Sequence, residues 1–183
     1  MKKKLVLALL MATLLAGGAF TQEWYNSYAP GIDGSNILAN VGIGFGLSPV
    51  WFKTSLPPIT ASVEYAGLPI PLSVGGYFGF ARYKLAFWDW DDDDDALVLT
   101  RIAFGARAAW HFNFIPNLDT YAGLAIGWMV NTYSVDYSLG SSGDFLYGFY
   151  AGGRYFFTNN IGVYLEAGYS GLTLVSAGLS LKF

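Results

Sequence analysis

The feature that most constrains this chain is a period-two alternation of apolar residues with small or polar ones, which runs from Asn36 to the last residue. Successive side chains of a β-strand point to opposite faces, so this alternation predicts strands with one apolar face and one polar face. Turn residues divide the alternation into eight segments. These segments are 36–47, 59–65, 72–81, 101–113, 121–131, 145–155, 161–169 and 173–183.

The two faces differ in a way that predicts their surroundings. The apolar faces carry no charge except Arg82, which directly follows the third segment, and charged residues make up only 13% of the chain. A water-soluble barrel needs a charged outer coat, whereas the Gly, Ser, Asn and Tyr of the second face suit a narrow lumen. We therefore predict an all-β fold, an eight-stranded antiparallel up-and-down transmembrane β-barrel with lipid as its main contact. A lipocalin-like soluble barrel is the alternative.

The beginning of the chain has the pattern of an export signal. A basic stretch at 1–4 precedes an apolar stretch at 5–15 and small residues at 16–19. This predicts a signal peptide over 1–19 and Sec export, with a periplasmic arm at 20–34 and a single barrel domain at 35–183. Cleavage leaves 7 basic and 13 acidic residues, a net charge of −6, which disfavours nucleic acid as a partner. The absence of cysteine excludes disulfides and thiolate chemistry.

The spacing of the segments predicts which connections face outward. With both ends of the barrel in the periplasm, the exterior connections are 48–57, 84–98, 132–143 and 170–171, and the periplasmic ones are the shorter 67–71, 114–118 and 157–160. The prolines at 49, 57, 58, 69, 71 and 116 are expected in or beside connections. The large aromatic residues expected to form a periplasmic girdle are Tyr65, Trp110, Phe112, Phe114 and Phe183.

The last eight residues carry a resemblance to a known family. Ser176, Gly178, Leu181 and Phe183 supply a polar residue, a glycine, a hydrophobic residue and a terminal aromatic residue. This order resembles the C-terminal signature of bacterial outer-membrane barrels, and residues 35–183 resemble small OmpA/OmpX/OmpW-type barrels in pattern. The resemblance implies location in the outer membrane, and recognition of these four residues by the barrel-assembly machinery.

Charged residues on the predicted lumen face form a candidate network. Buried charges must pair, so we expect contacts between Glu64 and Arg107 and between Glu166 and Arg154, with Arg101 nearer one end. Lumen-facing glycines are expected to make room for large tyrosines of other strands. We predict that this network closes the lumen. A narrow small-solute channel, as in the OmpW group, is the alternative.

Two further features are candidates for chemistry. An acidic run in the second exterior connection is interpreted as a solvated tip, with weak Ca²⁺ or Mg²⁺ contact as the alternative. Its residues are Asp89, Asp91, Asp92, Asp93, Asp94 and Asp95. His111, the only histidine, has no serine near it in sequence, so we interpret it as a structural lumen residue. A lipid A-modifying enzyme is therefore disfavoured.

We predict a non-enzymatic envelope protein without cofactor or metal, whose outer connections contact the surroundings. An extracellular or host ligand, or an adhesin role, is a further alternative.

Overall fold

A computed structural model describes residues 37–68, 70–85, 97–115, 117–135 and 138–183, and these form a closed antiparallel barrel in which each strand pairs with the next and the last pairs with the first. The strands are β1 Ile37–Gly46, β2 Phe52–Tyr65, β3 Leu72–Leu85, β4 Val98–Ile115, β5 Leu118–Val135, β6 Ser138–Phe156, β7 Ile161–Tyr169 and β8 Thr173–Lys182. The predicted fold class is confirmed. The predicted signal peptide, N-terminal arm and acidic run lie outside the described residues.

The barrel is apolar outside and polar inside. Val41, Leu124 and Leu165 point outward and are 55%, 67% and 57% exposed, whereas Glu64 and Arg154 in the lumen are fully buried. Because the two sets alternate along the strands, apart from the far ends of β6 and β8, the predicted assignment of the faces is confirmed. No helix within the described ranges is long and apolar enough to cross a membrane.

The strands differ in length, which gives the barrel one tall side. We call the end where β1 begins and β8 ends the near end, and the opposite end the far end. β1, β7 and β8 have 10, 9 and 10 residues, whereas β4, β5 and β6 have 18, 18 and 19. The extra length of β5 and β6 lies at the far end, where these two strands remain paired as far as Val135 and Ser138.

The predicted connection at 132–143 is therefore wrong, because most of it belongs to β5 and β6. Tyr133 and Val135 continue a period-two alternation in β5, with Thr132 and Ser134 between them. The stretch that follows is rich in Ser and Gly, which are typical of a connection, and this composition hid the strand.

The predicted position of two prolines is also wrong. Pro57 and Pro58 lie inside β2, so the predicted connection 48–57 is partly strand. The β2–β3 register shifts twice between Thr54 and Ile59, and the β1–β2 ladder ends at Ile59. The prolines thus occupy an irregular edge, where a missing N–H disrupts no ladder to β1.

The far end of β8 corrects a third expectation. Thr173, predicted on the apolar face, is only 4% exposed, while its neighbour Leu174 is 44% exposed. The register between β1 and β8 shifts between Phe45 and Gly46, and Gly46 has a φ of 105° that favours glycine. This irregularity reverses the faces of the first residues of β8.

Candidate functional site

The candidate site is a network of charged side chains in the near half of the lumen. The strands supply its members in order around the barrel, and each points inward because it occupies a lumen-facing position of the alternation. The members are Glu64 on β2, Ser73 on β3, Arg107 and His111 on β4, Asp119 on β5, Arg154 on β6 and Glu166 on β7.

Arg154 lies at the centre of the network and is fully buried. Its Nη2 lies 2.7 Å from Glu64 Oε1, and its Nη1 lies 2.9 Å from Asp119 Oδ2. Nε donates to Asn40 Oδ1 at 3.2 Å, and the guanidinium lies 4.1 Å from the centre of the Tyr121 ring. All three guanidinium nitrogens therefore have an acceptor, which a buried arginine requires.

Arg107 joins Glu64 to a second carboxylate. Its Nε lies 3.0 Å from Glu64 Oε1, which is the pair expected from the sequence, and its Nη2 lies 2.5 Å from Glu166 Oε1. The guanidinium stacks 4.0 Å from the Tyr150 ring, and the Tyr121 hydroxyl donates to Glu166 Oε1 at 2.9 Å. Glu64 is thus shared between two arginines.

The expected contact between Glu166 and Arg154 is not among the ion pairs of the described ranges. The β6–β7 ladder places Arg154 opposite Tyr164 and Glu166 opposite Gly152, so the two charges lie at different levels of the lumen. Glu166 consequently meets Arg107 instead.

Arg101 belongs to a separate group closer to the far end. Its Nε donates to Asn131 Oδ1 at 2.9 Å, and the Asn131 amide donates to Asp144 Oδ2 at 2.7 Å. Its guanidinium lies 5.8 Å from the centre of the Tyr83 ring. The structure therefore brings four of the five predicted network residues together and leaves Arg101 apart.

His111 has the neighbours of a hydrolytic triad, which sequence reasoning missed. Its Nδ1 lies 2.7 Å from Asp119 Oδ1 and its Nε2 lies 2.8 Å from Ser73 Oγ. Ser73 is distant in sequence but lies on the strand paired with β4. The missed signal was the β3–β4 register, because the inward-facing positions of paired strands near the same turn meet in space.

The direction of the hydrogen bonds argues against a catalytic triad. The Ser73 hydroxyl has one proton, and it donates to Glu64 Oε2 at 2.7 Å. His111 Nε2 must then donate to Ser73 Oγ, and Nδ1 donates to the Asp119 carboxylate. A nucleophilic serine instead donates to a neutral imidazole. In this arrangement both ring nitrogens of His111 act as hydrogen-bond donors.

With a doubly protonated histidine the network is electrically balanced. The three carboxylates are matched by two guanidinium groups and one imidazolium. A neutral histidine would leave one uncompensated negative charge in the lumen, and burying such a charge is costly.

Two groups of apolar side chains enclose the network along the barrel axis. The near seal consists of Leu38, Ala66 and Phe156. The far seal consists of Ala81, Tyr83, Leu99, Ala103, Leu146 and Leu172. The lumen is therefore layered, with charged groups between two apolar plugs. The far seal was not predicted, because lumen positions were expected to be polar.

One cavity of about 50 Å³ lies between the network and the far seal, lined by Tyr77, Arg107, Tyr164, Glu166 and Leu172 among others. This volume holds a few water molecules at most. The Tyr77 hydroxyl is buried and lacks a hydrogen-bond partner within the described part of the chain. The cavity is thus a small pocket with both polar and apolar walls.

Glycines leave room for the lumen tyrosines, as expected. A Cβ atom added at Gly123 would lie 2.5 Å from the Tyr150 ring, and one added at Gly42 would lie 2.5 Å from the Tyr164 hydroxyl. These separations are shorter than carbon contacts allow, so the tyrosines require glycine opposite them.

The four residues of the terminal signature lie on β8 and just after it. Ser176 is buried in the lumen, and Phe183 is 69% exposed at the near end. The Phe183 backbone pairs with Ile37, with its N–H donating to the Ile37 carbonyl at 2.9 Å. Recognition of these residues by the assembly machinery stays a prediction.

Comparisons with known proteins gave structural resemblance only. No protein-family model and no curated protein match the chain. Similar solved structures include the N-terminal β-barrel domain of Pseudomonas aeruginosa OprF, with 17% identity and a TM-score of 0.49 over 82% of this chain and 98% of that one. Neisserial surface protein A has 18% identity and a TM-score of 0.46, over 82% and 95% of the chains. Ail of Yersinia pestis has 16% identity and a TM-score of 0.43, over 82% and 99%.

Proposed function

We propose that this chain is a non-enzymatic outer-membrane barrel with a closed lumen, which anchors in lipid and presents its far end outside the cell. The observation that carries the proposal is the layered lumen, with its charged network between the near and far seals.

Location in a membrane is supported by the outward face. Large apolar side chains such as Phe145 and Leu124 are 63% and 67% exposed on this face. Exposure of so much apolar surface to water would be unfavourable. A tilted strand needs about 9–11 residues to cross a bilayer core, and the shortest strands, β1, β7 and β8, have 10, 9 and 10. The signal-like N-terminus and the terminal Phe183 support the outer membrane in particular.

Closure of the lumen is supported by the layering along the axis. A hydrated ion entering from either end must pass apolar side chains of a seal before it reaches a network whose charges are already paired. An eight-stranded barrel has an interior just wide enough for side chains to fill.

Conductance across a planar lipid bilayer tests the proposal. We expect no steady current from the purified barrel, with a 16-stranded porin as the positive control. The Leu172→Gly variant removes one side chain of the far seal and leaves the charged network and the near seal intact. We therefore expect no steady current from this variant either. A steady, solute-dependent current from the unaltered barrel would overturn the closed-lumen proposal.

A small-solute channel is the second candidate, and the cavity beside Arg107 and Tyr77 is the observation that favours it. The same bilayer measurement decides between the two, because a channel passes current at rest or when its solute is added.

An enzyme acting on lipid A is the third candidate, on account of the contacts among Ser73, His111 and Asp119. The serine is fully buried and donates its proton to Glu64, so we expect no hydrolysis. The mass spectrum of lipid A from cells that express the chain should match that from cells that express Ser73→Ala or His111→Ala. A mass difference that both substitutions abolish would establish an enzyme.

A further inference from the structure

The apolar band on the outside of the barrel is taller on one side than on the other. On β7 the outward-facing apolar residues extend from Ile161 to Tyr169. On β5 they extend from Leu118 to Val130, interrupted by Thr120. Each residue of a tilted strand adds about 2.5 Å of height, so the two runs are about 20 Å and about 30 Å tall.

The adjacent strands show the same difference. Along β8 the outward-facing apolar residues extend from Phe183 to Leu174, about 23 Å in height. Along β4 they extend from Phe114 to Ile102, about 30 Å in height. We call the outward surface of β7 and β8 the low face, and the outward surface of β4 and β5 the tall face.

The near ends of the two faces are level. Leu118 on β5 pairs with Tyr155 on β6, and Tyr155 pairs with Val163 on β7. Strand tilt raises the partner by about 3 Å at each of these two steps. Ile161 lies about 5 Å below Val163, because it is the next outward-facing residue toward the near end. Ile161 and Leu118 therefore differ in height by only about 1 Å.

The far ends of the two faces lie at different heights. Tyr169 on β7 pairs with Phe149 on β6, whereas Val130 on β5 pairs with Gly143, much farther along β6. After correction for the strand tilt, Val130 lies about 9 Å above Tyr169. The apolar band therefore has a level rim at the near end and a sloping rim at the far end.

In the described part of the chain, no outward apolar side chain extends the low face beyond Tyr169 and Leu174. The turn between β7 and β8 folds inward, and its Leu172 and Thr173 are 2% and 4% exposed. Ser170 closes this turn, because its Oγ accepts a hydrogen bond from the Thr173 N–H at 3.1 Å. Hydrocarbon as thick as the tall face would stand about 9 Å above this turn, beside the mouth of the lumen.

Tilting of the whole barrel does not remove this mismatch. A tilt moves both rims of one side by the same amount, so the difference of about 10 Å between the tall and low faces persists. A hydrocarbon core of about 30 Å matches the tall face and exceeds the low face. Local thinning of the bilayer is the usual response to a short apolar surface. Because the near rim is level, the thinning falls in the leaflet at the far end.

The low face also indicates which part of a lipid it contacts. Val163, Leu165 and Leu179 are 46%, 57% and 56% exposed on it, and its outward-facing residues carry no charge. Acyl chains rather than charged headgroups are therefore its ligands. Compressing long chains has a free-energy cost that grows with the mismatch, whereas shorter chains cover the same surface without compression.

We propose that the low face binds lipids with short acyl chains, so that the barrel maintains a gradient of hydrocarbon thickness around itself. This inference rests on the proposed location in the outer membrane. It does not depend on closure of the lumen, so a current in the bilayer assay would leave it standing.

The depth of single nitroxide labels in dioleoylphosphatidylcholine vesicles tests the gradient. The chain contains no cysteine, so one label can be placed at a time. Tyr169→Cys and Val130→Cys mark the far rim, and Ile161→Cys and Leu118→Cys mark the near rim. Depth is measured from the accessibility of each label to oxygen and to a water-soluble nickel complex, and heat-dependent mobility in SDS gels shows that each variant is folded.

We expect the two far labels to report the same depth to within about 3 Å, although their heights on the barrel differ by about 9 Å. The near labels should agree with each other and so exclude a tilt. A difference of about 9 Å between the far labels, with equal near labels, would show a flat bilayer and overturn the proposal. Four labels that are all open to the nickel complex would instead refute the membrane location on which it rests.

Quenching by trace lipids tests the preference for short chains. A bimane label at Ala167→Cys reports on the low face, and one at Val130→Cys is the matched control on the tall face. Each is measured in the same host vesicles with a few per cent of a headgroup-nitroxide lipid whose chains have either 12 or 18 carbons. The short-chain lipid should quench the low-face label at least twice as strongly as the long-chain lipid, and it should have no such advantage at the tall face.

Equal quenching by the two lipids at the low face would overturn the proposal. Spin–spin broadening between nitroxides at Ala167→Cys of neighbouring barrels would also overturn it, because a second copy of the chain would then cover the low face in place of lipid.

Discussion

The Glu64–Arg154 pair offers a measurement of how strongly the lumen network stabilises the barrel. The pair is fully buried at 2.7 Å, and Arg154→Met leaves three carboxylates facing two cations. Removing one partner of a buried ion pair costs about 3–5 kcal/mol, because the remaining charge stays buried. Glu64→Gln should cost a similar amount, since it leaves one cation in excess.

The double variant Arg154→Met/Glu64→Gln restores the balance of charge. It retains Arg107 and His111 against Asp119 and Glu166. We therefore expect its loss of stability to be smaller than the sum of the two single losses by at least ~2 kcal/mol.

Reversible urea unfolding of the barrel in lipid vesicles, followed by tryptophan fluorescence, gives the four free energies of this cycle. The cycle Glu64→Gln with Arg101→Met is the control, because Arg101 belongs to the separate far-end group and should give additive losses. Additive losses for the Arg154 cycle would refute the reasoning that the two buried charges depend on each other.

Three further predictions follow from individual positions. Since His111 is the only histidine, its ¹⁵N spectrum in a barrel without a histidine tag should show both ring nitrogens as hydrogen-bond donors, and a spectrum with one nitrogen as an acceptor would contradict the assigned hydrogen-bond direction. Gly123→Ala should lower the unfolding free energy by about 1–3 kcal/mol, whereas Gly76→Ala, whose nearest atom lies at 3.5 Å, should change it little. Leu124→Arg, on the outward face, should lower it by about 2–4 kcal/mol in vesicles, whereas a soluble barrel would tolerate the change.

The sequence predicted the barrel because alternation is imposed locally by the apolar medium. The bounds of β7 were predicted at 161–169 and found there, since both of its ends lie where alternation stops. The far parts of β5 and β6 were missed because the Ser and Gly residues of 138–143 are typical of a connection, although Tyr133 and Val135 continue a period-two alternation in β5. The reversal at Thr173 was missed because an irregularity in the ladder leaves no mark on composition.

The site was predicted in part for a similar reason. A charged residue on the lumen face requires a partner of opposite charge. The Glu64–Arg107 pair could therefore be predicted from the positions of the two residues. Glu166 was given the wrong partner because distance from a turn is only a rough measure of height in a barrel with tilted strands. Asp119 and Ser73 were overlooked because each lies beside a turn, where polar residues are ordinary.

The two seals and the charged network should depend on each other. Attraction between the buried charges is strong only while water is kept away from them, since the effective dielectric constant rises where water enters. Phe156 belongs to the near seal and lies two residues from Arg154 on β6. In a Phe156→Ala background, water reaches the network, and we expect the Glu64–Arg154 coupling to fall by at least half. Tyr155→Ala, which alters the 50% exposed neighbour on the outward face, should leave the coupling unchanged. If both backgrounds retained the full coupling, the Glu64–Arg154 coupling would depend on the geometry of the pair and not on the near seal.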